Sequence, residues 1–113
     1  MGFDRRSFDT LIEGDKDLFS SLLSLFEDEW PQLIEKIRQG IQEGQAKAVE
    51  ESSHRLKGCL RNFYASSCSP LAEQLEAAGR TNQLNDLDKT IEHLVHEIQV
   101  LQTELRQYFD EIP

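Results

Sequence analysis

Residues 84–108 read LNDLDKTIEHLVHEIQVLQTELRQY, and this stretch decides the fold. Its large apolar residues recur at intervals that alternate strictly between three and four positions. Such spacing gives a helix one continuous apolar face, as in the seam of a helical bundle or a coiled coil. We therefore predict a helix over about 85–110 whose seam is buried within the chain, with homodimerisation as the lesser alternative. The seam consists of Leu84, Leu87, Ile91, Leu94, Ile98, Leu101, Leu105 and Tyr108.

Helical periodicity also dominates upstream, and no segment alternates apolar and polar residues as a half-buried strand does. A long second helix is predicted, with Asp15 as its cap and Gly44 at its end. Pro31 lies inside this helix and is expected to kink or split it near residue 30. The inward stripe of the helix is predicted as Leu18, Leu22, Leu25, Phe26, Leu33, Ile37 and Ile41.

The predicted architecture is all-α, an antiparallel four-helix bundle with a short additional N-terminal helix. A chain of 113 residues has room for one domain and one modest core, so residues 1–113 are predicted to form a single domain. The fourth helix is expected to start near Ser66 or Ser67 and to stop at Gly79. The helices before the last one are predicted at 6–13, 16–43, 46–63 and 66–79.

The formal net charge of −9 argues against nucleic acid as a ligand, because phosphate-backbone contacts need clustered cations. No apolar run approaches the ~18 residues that a membrane span needs, and the first residues do not read as a secretory signal. Cys59 and Cys68 lack the spacing of a disulfide framework or a zinc site, so they are interpreted as free thiols. We expect a cytoplasmic protein that binds neither nucleic acid nor membrane.

The third helix contains the main functional candidate, His54. At about 100° per residue, the imidazole lies about 160° around the helix from Leu56, which belongs to the apolar stripe. His54 should therefore face solvent, and Lys57, Gly58 and Arg61 should border it. The buried stripe of this helix is predicted as Val49, Leu56, Leu60 and Phe63.

Gly58 needs a reason, because glycine inside a helix costs ~1 kcal/mol relative to alanine. It has no capping role, since the apolar stripe continues beyond it, and an exposed glycine makes no room for core packing. It is interpreted as letting a partner surface approach the helix closely, one turn from His54. A neutral imidazole is a nucleophile near neutral pH, and the surrounding cations favour an incoming phosphoryl group. The residues therefore predict a histidine that accepts a phosphoryl group.

These residues resemble a known family, the histidine phosphotransfer (HPt) domain. The matching residues are His54-Arg55-Leu56-Lys57-Gly58, then Ala65, Leu71, Leu75-Glu76 and Gly79-Arg80. The segment before this motif is also similar to the N-terminal part of that family, at Gly14-Asp15, Leu22-Leu23 and Phe26. The resemblance therefore extends from about residue 8 to 110.

Two residues depart from the family pattern. Tyr64 stands where the family usually has glycine before Ala65, and Arg61 occupies a position that is often small. Neither change removes the phosphoryl acceptor. Both bear on which partner proteins can dock, because large side chains there alter the contact surface.

The resemblance implies a phosphorelay intermediate of two-component signal transduction. His54 would accept a phosphoryl group from a receiver-domain aspartate and pass it to another receiver, and Lys57 would contact that group. Docking contacts are expected at Gly58, Arg61, Arg55 and Ala65. The implied partners are response-regulator receiver domains and a sensor hybrid kinase. The Mg²⁺ is expected on the receiver, so this chain would be a monomeric phosphoryl carrier without its own cofactor, kinase or nucleotide site.

The alternative hypothesis is a helical-bundle interaction module that binds a partner without chemistry. A metal site at His93 and His96, three residues apart on the last helix, is a distant third, and a solvated pair is the preferred interpretation. No metal site is predicted. Carboxylates also cluster toward the second helix, and without a nucleophile or a substrate-binding motif they are interpreted as a solvated acidic face.

Overall fold

The computed structural model describes residues 4–112, which form five helices and no strand. Each helix packs on the next in chain order, and the last helix closes the ring against the second. Short connections make neighbouring helices antiparallel, which confirms the predicted helical bundle with an extra N-terminal helix. The helices are α1 (Arg5–Ile12), α2 (Lys16–Gln42), α3 (Ala46–Arg61), α4 (Ser69–Arg80) and α5 (Asp88–Glu111).

The predicted stripes of α3 and α5 are buried, so these two predictions are confirmed. All four predicted residues of the α3 stripe are at most 2% exposed. The α5 seam is buried from Ile91 to Tyr108, and Leu84 and Leu87 are half-buried against the core. The apolar period of three and four residues therefore placed these helices correctly around one core.

The predicted stripe of α2 is partly wrong, because Leu18 and Leu25 are 39% and 60% exposed. The helix instead turns its phenylalanines inward, and the ring of Phe26 packs 5.0 Å from that of Phe63. Leu22 is half-buried. One apolar row of α2 therefore lies at the surface. The buried residues of α2 are Phe19, Leu23, Phe26, Leu33, Ile34, Ile37 and Gly40.

Pro31 does not split α2, which is a single helix from Lys16 to Gln42. Proline removes one helical hydrogen bond, but the buried residues on both sides of it hold the two halves to the same core. The Asp15 cap is confirmed, since its carboxylate accepts a hydrogen bond from the amide of Leu18 at 3.0 Å. In α1, Phe8 and Ile12 are buried, whereas Leu11 is 46% exposed.

The start of α4 differs from the prediction, because the helix begins at Ser69 rather than near Ser66 or Ser67. Gly79 also differs, because it lies inside α4 and is buried against α3. A Cβ at position 79 would lie 2.5 Å from the amide nitrogen of Glu50 and 2.8 Å from the carbonyl oxygen of Ala46. Glycine at this position therefore lets the backbone of α4 approach the backbone of α3 closely.

Within residues 4–112, no helix is both long enough and apolar enough to cross a bilayer. Both cysteines are free, as predicted, with Cys68 in the core and Cys59 half-buried.

Candidate functional site

His54 projects from the outer face of α3, and its side chain is 69% exposed. Leu56, two residues along, is fully buried, so the predicted orientation of the imidazole is confirmed. The ring is accessible to another protein while its backbone belongs to a helix fixed by the core.

A buried carboxylate from α4, that of Glu76, holds one nitrogen of this ring. Glu76 Oε2 lies 2.7 Å from His54 Nδ1, and only 6% of Glu76 is exposed. An ionised carboxylate can only accept hydrogen bonds, so Nδ1 carries the proton and donates it. Nε2 is then the nitrogen with the free lone pair in the neutral ring, and it has no hydrogen-bond partner among residues 4–112.

Lys57 reaches the same carboxylate from α3, with Nζ 2.5 Å from Glu76 Oε1. The Lys57 side chain is 11% exposed, so its ammonium group is committed to Glu76 rather than projecting toward solvent. Arg80 adds a looser contact, with Nη2 3.7 Å from Glu76 Oε2 and Nε 3.5 Å from Glu50. The Lys57 hydrogen bond is the main reason that the pKa of Glu76 lies below its usual value, while burial opposes this shift and the His54 contact adds to it. Glu76 is therefore an anion fixed against the imidazole.

Gly58 lies on the exposed face one turn beyond His54, as predicted. A Cβ at this position would meet no atom of the described residues within 4 Å. The glycine thus relieves no crowding inside the protein, and the space that it leaves open faces outward. This agrees with the interpretation that the space serves an external surface.

The α2 side of the site is formed by Arg55, Glu29 and Cys59. Arg55 Nε donates to Glu29 Oε1 at 2.6 Å, so this cation is paired at the rim of the site. The thiol of Cys59 lies 3.6 Å from the other oxygen of Glu29, and burial, together with this carboxylate, raises the pKa of the thiol to about 11. Cys59 therefore stays protonated near neutral pH and is a poor nucleophile beside the imidazole.

Two of the predicted docking residues differ in exposure. Arg61 is exposed and forms no ion pair with any residue from 4 to 112. Ala65 is 2% exposed, so its methyl group belongs to the core, and the docking contact that we predicted for this residue remains a prediction. Its amide is also used internally, donating to the carbonyl of Leu60 at 3.2 Å.

The role of Glu76 was not predicted, and in the sequence this residue appears only as part of the Leu75-Glu76 motif. The available signal was its position four residues after Ala72 and one after Leu75, which places a carboxylate on the buried face of α4. A buried acid requires a partner, and the partners were the residues already singled out on α3. The two histidines of α5 are not part of a comparable cluster of side chains. His93 contacts Glu97 at 3.5 Å, and no group of three or more metal-binding side chains occurs among the described residues.

Comparison with known proteins agrees with this geometry. The family model described as "Hpt domain" matches residues 21–110 of the chain. No curated protein matches the chain.

A similar solved structure is the crystal structure of histidine-containing phosphotransfer protein B (HptB) from Pseudomonas aeruginosa PAO1. The likeness has a TM-score of 0.88 at 22% sequence identity, and it covers 99% of this chain and 97% of that one. At 22% sequence identity, this structural similarity establishes the fold of the chain and not its function. The family match extends over most of the chain and includes the exposed imidazole with its buried carboxylate. The chain therefore belongs to the Hpt domain family, whose members act as histidine phosphotransfer carriers in phosphorelays.

Proposed function

We propose that His54 Nε2 takes a phosphoryl group from the aspartyl phosphate of one receiver domain and gives it to the aspartate of another. In the first step Nε2 attacks phosphorus, an N–P bond forms, and the P–O bond to the receiver carboxylate breaks. The proton on Nδ1 stays where it is, so no base is needed to deprotonate the nucleophile. The reverse sequence on a second receiver completes the relay.

The observation that carries this proposal is the contact of 2.7 Å between His54 Nδ1 and the buried carboxylate of Glu76. It fixes the tautomer that leaves Nε2 nucleophilic. Attack by Nε2 also places positive charge on the ring, and an anion held beside Nδ1 stabilises that charge as it develops. Lys57 keeps Glu76 ionised and oriented. This assigns Lys57 a positioning role, and the contact with the phosphoryl group that we predicted for it remains a prediction.

The chain acts as a carrier rather than as a self-sufficient enzyme in this proposal. The receiver supplies the carboxylates that hold Mg²⁺, the cation that neutralises the phosphoryl oxygens. This chain supplies the nucleophile and a surface on which receivers exchange. We place it in the cytoplasm, as a monomer that serves response-regulator receivers and a sensor hybrid kinase.

The proposed docking surface extends from His54 across Gly58 to the exposed apolar row of α2. Leu25 is 60% exposed, and with Leu22 it borders a shallow hollow against Cys59 and Asn62. Apolar side chains at the surface beside a reactive group are typical of a protein contact site. A receiver seated here would cover Gly58, whose missing side chain allows its aspartate to come close to Nε2.

The test is transfer from a phosphorylated receiver to the purified chain. Wild type should acquire an acid-labile, base-stable phosphate, and His54→Gln should acquire none. Glu76→Ala should transfer roughly 10–100-fold more slowly, an effect of the size found when the hydrogen-bond partner of a metal-ligating histidine is removed. Thr103→Ala, on the exposed face of α5, is the matched control and should behave as wild type. Association with receivers but no transferred phosphate would replace this proposal with the interaction-module alternative.

A further inference from the structure

A strained tyrosine follows the end of α3, at Tyr64. Its φ is 53°, in the left-handed region that glycine adopts without cost and that a side chain with a Cβ disfavours. The turn itself is well held, since the amide of Tyr64 donates to Arg61 at 3.0 Å and its carbonyl accepts from Asp4 at 3.2 Å. The backbone here suits glycine, yet the sequence has one of the largest side chains.

The fold does not account for this side chain. Tyr64 is 41% exposed, and its hydroxyl forms no hydrogen bond within residues 4–112. The neighbouring core position is filled by Phe63, which is 2% exposed. A side chain that the backbone disfavours and the core does not use points to a use outside the fold.

The position of Tyr64 connects it to the phosphoryl-accepting face. Arg61 lies on the same exposed side of α3 as His54 and Gly58, seven residues or about 10 Å beyond the histidine at the helical rise. Arg61 and Tyr64 together border a hollow of about 510 Å³, which Asp4, Ala65, Ser66 and Ser69 also line. The Asp4 carboxylate accepts hydrogen bonds from the amide and hydroxyl of Ser7. The exposed side of α3 that carries His54 and Gly58 therefore continues through Arg61 to this hollow.

The hollow is within reach of a docked receiver. A standard interface buries about 800 Å² on each partner, which for a round patch extends about 16 Å from its centre. With His54 at the centre, Arg61 falls inside that patch at about 10 Å. Tyr64 follows Arg61 by three residues, in the turn after α3. Tyrosine and arginine are among the side chains that are enriched at such contacts.

We propose that Tyr64 and Arg61 form a partner-selecting edge of the docking surface. This inference rests on the proposed function and adds which receivers the site accepts. The preferred receiver has an apolar side chain that packs on the Tyr64 ring and an adjacent carboxylate that pairs with Arg61. Receivers that lack this pair dock less well, although their phosphorylation sites are chemically the same.

The test compares two phosphoryl donors for His54, a phosphorylated receiver and the small molecule phosphoramidate. For Tyr64→Gly, the ratio of the receiver rate to the phosphoramidate rate should fall about tenfold at sub-saturating receiver, as expected for loss of an interface anchor. The fall should appear in KM rather than kcat. Tyr64→Phe should retain the wild-type ratio, and Tyr64→Gly should have a higher thermal midpoint because the strain is gone.

Arg61→Gln should also lower the ratio, and it should weaken the salt dependence of the receiver reaction. An unchanged ratio in Tyr64→Gly across a panel of receivers that phosphorylate wild type would overturn the partner-selecting edge and leave the relay intact. If phosphoramidate labels His54 but no receiver does, the proposed function fails and the inference fails with it. The two failures are thereby distinguishable.

Discussion

At the scale of single residues, Glu76 links the chemistry of the site to the stability of the fold. Its carboxylate is nearly buried and accepts from His54 and Lys57, at 2.7 and 2.5 Å. A buried anion is tolerated only when its partners replace the lost water. The ion pair with Lys57 therefore supports both the orientation of the imidazole and the packing of α3 on α4.

Lys57→Met should destabilise the protein at neutral pH by roughly 1–3 kcal/mol, the cost of leaving a buried charged group short of a partner. The difference from wild type should shrink in acid. The folded pKa of Glu76 is lowered, chiefly by Lys57, so its stabilising contribution is present above the unfolded pKa and is lost as the pH falls through the folded pKa. Denaturant unfolding measured from neutral to acidic pH checks this.

Arg55→Met is the matched control for this prediction. Its ion pair with Glu29 is at the surface, where the arginine side chain is 70% exposed, and such pairs contribute little. A Lys57→Met difference that stayed constant down to acidic pH would contradict the assignment of the effect to Glu76.

At the scale of helices, two glycines on the same pair of elements have opposite surroundings. A Cβ at Gly79 would meet backbone atoms of α3 at 2.5–2.9 Å, and backbone cannot move aside cheaply. A Cβ at Gly58 would meet open space. Gly79 therefore sets the distance between α3 and α4. Gly58 leaves the outer surface of α3 without a side chain at that position.

Gly79→Ala should therefore destabilise the protein by about 1–3 kcal/mol, the usual cost of overpacking. Gly58→Ala should stabilise it by up to about 1 kcal/mol through helix propensity. Thermal unfolding followed by circular dichroism measures both. Equal effects of the two substitutions would show that α4 does not depend on the close approach at Gly79.

Gly58→Leu extends the comparison to function. It should leave the helix intact or slightly more stable, yet slow transfer from a receiver, because the side chain obstructs docking. Unchanged transfer kinetics would refute this account of Gly58, whatever its effect on stability.

The sequence predicted the presence of the helices better than it predicted which face of each helix is buried. The existence of all five helices follows from apolar period and caps, and the exposed position of His54 follows from the single apolar stripe of α3. In α2 two rows have the same spacing, one with Leu18 and Leu25 and one with Phe19 and Phe26. Only packing against aromatic rings of other elements, such as Phe8 at 4.9 Å from Phe19, selects the second row.

The pairing of Glu76 with His54 could not be predicted from local sequence either. The acidic residue at an inward position of α4 was visible, but its partner depends on how α4 is aligned along α3. That alignment follows from the close approach at Gly79, which is a tertiary contact. The burial of Ala65 was missed for a related reason, since it lies in the turn between two helices rather than on a periodic face.

At the scale of the whole molecule, the described residues form an elongated bundle with extents of 47, 22 and 18 Å. The apolar seam of α5 is used inside this bundle, where Leu94, Ile98 and Leu101 are fully buried. A helix whose seam is already covered has no second apolar stripe with which to form a coiled coil.

We accordingly expect a monomer in sedimentation equilibrium, at all concentrations where the protein is soluble. Val100 is the large apolar residue of α5 that is most exposed, at 39%, and one such side chain is too little for a stable dimer. A dimer that Val100→Glu dissociates would contradict this expectation and would restore the homodimer alternative.

The single tryptophan lies where α2 meets α5, away from the helices that carry the imidazole and its carboxylate. The indole Nε1 of Trp30 donates to Gln102 at 3.0 Å, and Gln102 donates in turn to Glu27 at 3.0 Å. Its ultraviolet emission should therefore shift when α2 and α5 separate, as they must on unfolding. The protein thus contains an intrinsic fluorescent probe of folding, with which every substitution at the reactive face can be checked without an added dye.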